Sequence, residues 1–108
     1  MDFDTYQKES GRSRANDLDD NTALAVAALG LAGEAGEVAD LVKKYMGHGH
    51  DLDTGKVHEE LGDLIWYVAW VCELLGFEMS FVAEQNIAKL RARYPDGFST
   101  EKSRNRAE

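Results

Sequence analysis

Cysteine and proline are almost absent from this sequence: its 108 residues include one of each, Cys72 and Pro95. A single thiol closes no internal disulfide, so no disulfide framework holds the fold. Basic residues are scarce as well. Twelve Lys and Arg stand against 20 Asp and Glu, a net charge of −8, which argues against binding a nucleic acid polymer through overall surface charge. Long hydrophobic runs are missing. The longest, Leu64 to Cys72, is nine residues, short of the roughly 20 that a membrane span needs. No apolar segment follows a basic start, as a secretory leader would require. The expectation is a cytoplasmic protein with no membrane partner. Apolar residues make up 44%, ordinary for a globular chain and too high for a disordered one, and the length allows one domain with one small core.

The charge is unevenly placed. Residues 1–88 carry 6 basic and 17 acidic side chains, whereas residues 89–108 carry 6 and 3. An acidic body with a basic end suits a site that holds metal ions and phosphate together; it also suits a merely solvated surface. With proline confined to position 95 and no period-two alternation over the first 90 residues, the pattern predicts helices nearly throughout. The expected helices cover Phe3 to Arg14, Thr22 to Tyr45 or Met46, Asp53 or Thr54 to Leu75 with Gly76 as the terminating residue, and Ser80 to Arg93, ended by Pro95. Asp19, Asp20 and Asn21 are candidate caps for the second. Residues 1–98 are expected to form a single domain and residues 99–108 a polar, disordered tail. The third helix reads Leu64-Ile65-Trp66-Tyr67-Val68-Ala69-Trp70-Val71-Cys72, apolar on every side, and such helices are buried all round. A homo-oligomer, either a dimer or a dimer of dimers, is the expected way to cover it.

The strongest signal is acidic. Glu34, Glu37 and Asp40 are spaced three apart on one helix, where like charges repel by a few tenths of a kcal/mol per pair, and the intervening Gly36 costs about 1 kcal/mol relative to alanine. The third helix repeats the pattern with Glu60 and Asp63 around Gly62. Antiparallel packing would bring the two acidic pairs face to face, with Gly36 and Gly62 admitting a close approach of the backbones. Four converging carboxylates suit hard divalent cations such as Mg²⁺, with Mn²⁺ as substitute; the Glu-x-x-His spacing of di-iron bundles is lacking. The bland alternative is a set of surface acids paired with Lys43, Lys44 or Lys56.

Glu34-x-x-Glu37 followed by Glu60-x-x-Asp63 resembles the signature of the MazG-like all-α nucleoside triphosphate pyrophosphohydrolases. The resemblance extends to Gly33-Glu34-Ala35-Gly36-Glu37-Val38, His48-Gly49-His50, Glu60-Leu61-Gly62-Asp63 and the ending Asn86-x-x-Lys89 to Arg93-Tyr94-Pro95, covering about Tyr6 to Phe98. Many members carry a further Glu where Gly33 stands. The resemblance implies a compact four-helix MazG-like bundle and Mg²⁺-dependent cleavage of a (deoxy)nucleoside triphosphate between its α and β phosphates. The products would be a monophosphate and pyrophosphate, as in the small phage and bacterial members that adjust or cleanse nucleotide pools. It also implies Glu34, Glu37, Glu60 and Asp63 as metal ligands, Glu37 or Glu34 as the group receiving the water's proton, and Asn86, Lys89, Arg93 and Tyr94 as substrate-binding residues. Lys89 and Arg93, four apart, share a helix face. A non-catalytic helical oligomerisation module with a structural metal is the competing expectation. His48, His50 and Cys72 are read as loop and core residues, Trp66, Tyr67 and Trp70 as core or interface, and Arg12 and Arg14 as solvated.

Overall fold

The computed structural model describes residues 1–105. Its elements are α1 (Phe3–Ser10), a 3-10 turn (Gly11–Ser13), α2 (Asp20–Gly47), α3 (Thr54–Leu75), α4 (Met79–Arg93) and α5 (Thr100–Arg104). No β-strand is present among the described residues. The chain is all-α, as the missing prolines and the absence of alternation predicted. Side-chain caps set the starts. The Asp19 carboxylate accepts the Thr22 N–H at 2.8 Å and the Asp53 carboxylate accepts the Lys56 N–H at 3.0 Å, each satisfying a donor that the first turn leaves unpaired. Gly76, at φ +79°, ends α3 in the left-handed conformation that glycine adopts without penalty. Helix α5 falls in the segment read from composition as a polar tail, where the Ser99 hydroxyl accepts the Lys102 N–H; positions 106–108 lie outside the described residues.

Helices α2 and α3 form an antiparallel hairpin that carries the core. Ala23, Ala27 and Trp70 are buried together, with Trp66, Tyr67, Val71 and Leu74 packed on them; a second group joins Ala69, Cys72 and Met79 to Tyr6 and Val68. The close approach between the helices is not at Gly36 or Gly62, where an added Cβ would meet nothing within 4 Å, but at Gly30. There an added Cβ would lie 2.1 Å from the Tyr67 ring. The expectation for Gly36 and Gly62 fails because no atom of the facing helix approaches the space an added Cβ would fill there, whereas at Gly30 the Tyr67 ring fills it.

Helix α1 lies across α3 and is pinned to the α3–α4 turn by polar contacts. The buried Gln7 donates to the Glu73 carboxylate at 3.0 Å and the Phe77 carbonyl at 2.9 Å, and its own carbonyl accepts the Met79 N–H at 2.8 Å. Asp4 accepts both the N–H and the hydroxyl of Ser80. Arg14 is not solvated as expected: its guanidinium folds back on α1, donating to the Ser10 hydroxyl at 2.8 Å, and burial lowers its pKa.

Helix α4 departs from α3 at 101° and does not close a fourth side of the hairpin. The radius of gyration is 17.0 Å, against about 13 Å for a compact chain of this length. The accessible surface is 8012 Å², against roughly 6,000 Å² for a folded monomer of 12.0 kDa. Much of the excess is apolar: Leu29 is 73% and Leu61 48% exposed, with Ile65, Phe81 and Ile87 also open. Helix α2 is long and apolar enough to cross a membrane by length and composition. Glu34 and Glu37 stand at its middle, where a charged group costs about 3 kcal/mol in a bilayer.

Candidate metal and nucleotide site

Helical spacing places Glu34 near the middle of α2 and Glu60 and Asp63 on the facing surface of α3. One carboxylate oxygen from each of the three lies within 4.8 Å of the others. This convergence follows from the antiparallel register: Gly30 faces Tyr67, and Glu34 faces Asp63 four residues further along α2 and four residues back along α3. Asp40 takes the bland alternative, pairing with Lys43 at 3.4 Å and Lys44 at 2.8 Å. The three clustered acids form no such pairs among the described residues.

The cost of that arrangement appears in Glu34. Its Oε2 is buried and has no hydrogen-bond partner, because its neighbour Glu60 is another carboxylate and an ionised pair contains no donor. A proton shared with Glu60 resolves the conflict. Together with burial and the charges of Glu60, Asp63 and Glu37, that sharing pushes the Glu34 pKa from 4.5 up to about 7. An orphaned carboxylate oxygen among three acids, with no histidine or cysteine in the group, fits a hard divalent cation with oxygen ligands.

Glu37 borders the cluster without joining it. It is exposed, one turn along α2 from Glu34, and its charge acts on Glu34 and on Lys44. Asn86, Lys89, Arg93 and Tyr94 lie on α4 or just after it and are not brought to the carboxylates of their own chain. With the 101° bend and a rise of 1.5 Å per residue, the helix axes at Arg93 and at Asp63 are about 25 Å apart in a straight line. Arg93 instead stacks over the Tyr94 ring at 5.9 Å, and Tyr94 packs against Phe98.

Gly30 was the positional requirement that sequence reasoning missed. It sat within a run of small residues with no feature to distinguish it from Gly33 and Gly36. The Cys72 thiol is buried and its pKa is raised by desolvation, as befits a core residue rather than a nucleophile.

An all-α hairpin bearing a converged acidic triad is a candidate metal site, and sequence comparison gives its family. The family model described as the MazG nucleotide pyrophosphohydrolase domain matches residues 23–98, a span that holds every one of these acids. The chain therefore belongs to the MazG nucleotide pyrophosphohydrolase domain family. It is 37% identical over 87 residues to the Gene 37 protein of Mycobacterium phage L5, an alignment covering 77% of this chain and 76% of that one. No solved structure matches it significantly.

Proposed function

We propose that the protein is a cytoplasmic, Mg²⁺-dependent nucleotide pyrophosphohydrolase that converts a (deoxy)nucleoside triphosphate to its monophosphate and pyrophosphate, in nucleotide-pool control or cleansing. The observation that carries this reading is the triad of Glu34, Glu60 and Asp63 with its orphaned oxygen, in a chain of this family. Those three residues, with Glu37 beside them, would hold Mg²⁺, or Mn²⁺ in its place. The bound cation supplies charge neutralisation at the phosphates and a lowered pKa for water. Glu37 is exposed next to the triad rather than within it, which suits it to receive the water's proton; Glu34, once ionised, is the other candidate. As the water oxygen bonds to the α-phosphorus, the bond from that phosphorus to the αβ-bridging oxygen breaks and pyrophosphate leaves with the electron pair.

Asn86, Lys89, Arg93 and Tyr94 would reach the phosphates from a second copy of the chain. The support is geometric: α4 points away from its own triad, and the excess accessible surface includes exposed apolar residues on α2 and α3, Leu29 and Leu61 among them. A homodimer or dimer of dimers would cover these faces and bring one copy's basic helix to another's carboxylates. The test is a panel of nucleoside triphosphates with Mg²⁺, scored for monophosphate and pyrophosphate. Pyrophosphate release that is lost on chelation supports the reading. Tight metal binding with no cleavage of any triphosphate would leave the helical module with a structural metal.

A further inference from the structure

Helix α4 bears Asn86, Lys89 and Arg93, yet little of its own chain holds it in place. Among the described residues of α4, Met79 alone is buried, seated with Ala69 and Cys72 of α3 and Tyr6 of α1. The contacts of α4 within the chain are chiefly with α1. It is a lever held at one end.

The hold at that end is polar and comes from α1. The first turn of a helix leaves N–H groups without an intrahelical acceptor, and Glu78, at the N-cap position, supplies no side-chain bond. Gln7 and Asp4 take that place. The Gln7 carbonyl accepts the Met79 N–H at 2.8 Å, and the Asp4 carboxylate accepts the Ser80 N–H at 3.1 Å and its hydroxyl at 2.6 Å. The Gln7 amide is itself fixed, because it donates to Glu73 near the end of α3 and to the Phe77 carbonyl in the turn. The bonds from Ser80 hold the Asp4 carboxyl below its ordinary pKa, and an anion there is favoured by the positive end of the α4 dipole. Helix α4 is thus capped from another helix, by residues 72 and 76 positions earlier in the chain.

The length of the lever sets what the clamp controls. At 1.5 Å per residue, Lys89 and Arg93 stand about 14 and 20 Å along α4 from Ser80. A swing of about 10° at the clamp carries Arg93 about 3 Å, and a misplacement of about 1 Å is enough to cost on the order of 100-fold in rate. We propose that Asp4 and Gln7 are positioning residues for the reaction: by capping α4 from α1 they fix the direction in which Lys89 and Arg93 meet the substrate's phosphates. The role rests on the pyrophosphohydrolase reading and gives α1, which contributes no member of the triad, a part in it. Asp4 and Gln7 act through α4 and not on the substrate.

The test is a mutant cycle between the clamp and the end of the lever. Asp4→Ala removes the cap, and Asp4→Asn keeps an acceptor for the Ser80 N–H. Gln7→Met keeps the length of the side chain and removes its three hydrogen bonds. Asp19→Ala, which removes the cap of α2, is the control for a cap lost elsewhere. Asp4→Ala and Gln7→Met are each expected to lower kcat/KM about tenfold, divided between kcat and KM as in Arg93→Ala, with Mn²⁺ affinity unchanged. Asp4→Asn should recover activity to within about twofold of the parent. Asp19→Ala should lower the melting temperature as Asp4→Ala does and leave kcat/KM unchanged. In a Lys89→Ala/Arg93→Ala background, Asp4→Ala should cost less than about twofold, because residues that act through one another are not additive. A full tenfold loss in that background, or a lower melting temperature at unchanged kcat/KM, would make the clamp merely structural. If the parent cleaves a triphosphate and the Lys89→Ala/Arg93→Ala variant is equally active, the positioning role is refuted and the pyrophosphohydrolase reading survives. If the parent cleaves no triphosphate, the functional reading itself fails and the positioning role falls with it.

Discussion

Glu34 offers the most direct perturbation, because a cation and a proton compete for the same oxygen. Its pKa is pushed up to about 7, first by the proton shared with Glu60 and then by burial and the neighbouring charges. Metal binding must expel that proton, so the apparent affinity should fall about tenfold per unit below pH 7 and level off above it. Between pH 8 and pH 5 the loss is about 100-fold. Glu34→Gln cannot hold the proton, so it should bind more weakly at pH 8 and show no such slope between pH 5.5 and 7. Free Mn²⁺ measured by electron paramagnetic resonance across this range checks both curves. A parent that binds Mn²⁺ equally at pH 5.5 and 7.5, or a Glu34→Gln variant that keeps the parent's slope, would refute the shared-proton account. The same shift has a sign for stability. The folded state holds a proton that the unfolded state releases between about pH 4.5 and 7, so this group's contribution is fully present below about 4.5 and is lost as pH rises through 7. The metal-free protein should therefore lose stability on going from pH 5 to pH 8, and Mg²⁺ should restore it at pH 8 by binding only the folded state.

Four further outcomes are expected. Glu60→Ala or Asp63→Ala should abolish turnover while leaving the helical circular dichroism largely intact, because neither side chain is in the buried core; full activity of either in metal-free buffer would contradict the ligand assignment. Gly30→Ala should lower stability by about 1–3 kcal/mol by driving a methyl into the Tyr67 ring, seen as a lower denaturant midpoint and altered near-ultraviolet dichroism. Leu29→Glu should reduce the assembly state in sedimentation with little loss of helix, since Leu29 is 73% exposed in the single chain; a parent that sediments at about 12 kDa at micromolar concentration would remove the partner altogether. Arg93→Ala should reduce kcat/KM about 10- to 100-fold, the loss of a charge-assisted phosphate contact, with Mn²⁺ affinity unchanged; a sharp fall in melting temperature at unchanged kcat/KM would make Arg93 structural.

The helices and the acids were legible in the sequence for local reasons. A cap such as Asp19 or Asp53 acts on the N–H groups two or three residues away, Gly76 and Pro95 restrict their own backbone and that of the preceding residue, and the three-residue spacing of Glu34 with Glu37 and of Glu60 with Asp63 sets their helix faces without reference to the rest of the chain. The pairing of Glu34 with Asp63 needed only the further step of folding two helices back to back. What the sequence could not decide is which positions at that level meet. Only the tertiary register shows that Glu34, Glu60 and Asp63 converge while Glu37 stands aside, and that the close contact requires Gly30 rather than Gly36 or Gly62. A glycine's missing side chain acquires meaning only from what fills the space, and here that is a ring 37 positions away in the chain. The direction of α4 was likewise beyond local rules. Three residues separate it from α3, and they would serve a return along the hairpin as well as the 101° departure the chain takes; the polar clamp of Gln7 and Asp4 on that turn, made by residues more than 65 positions away, holds α1 against it.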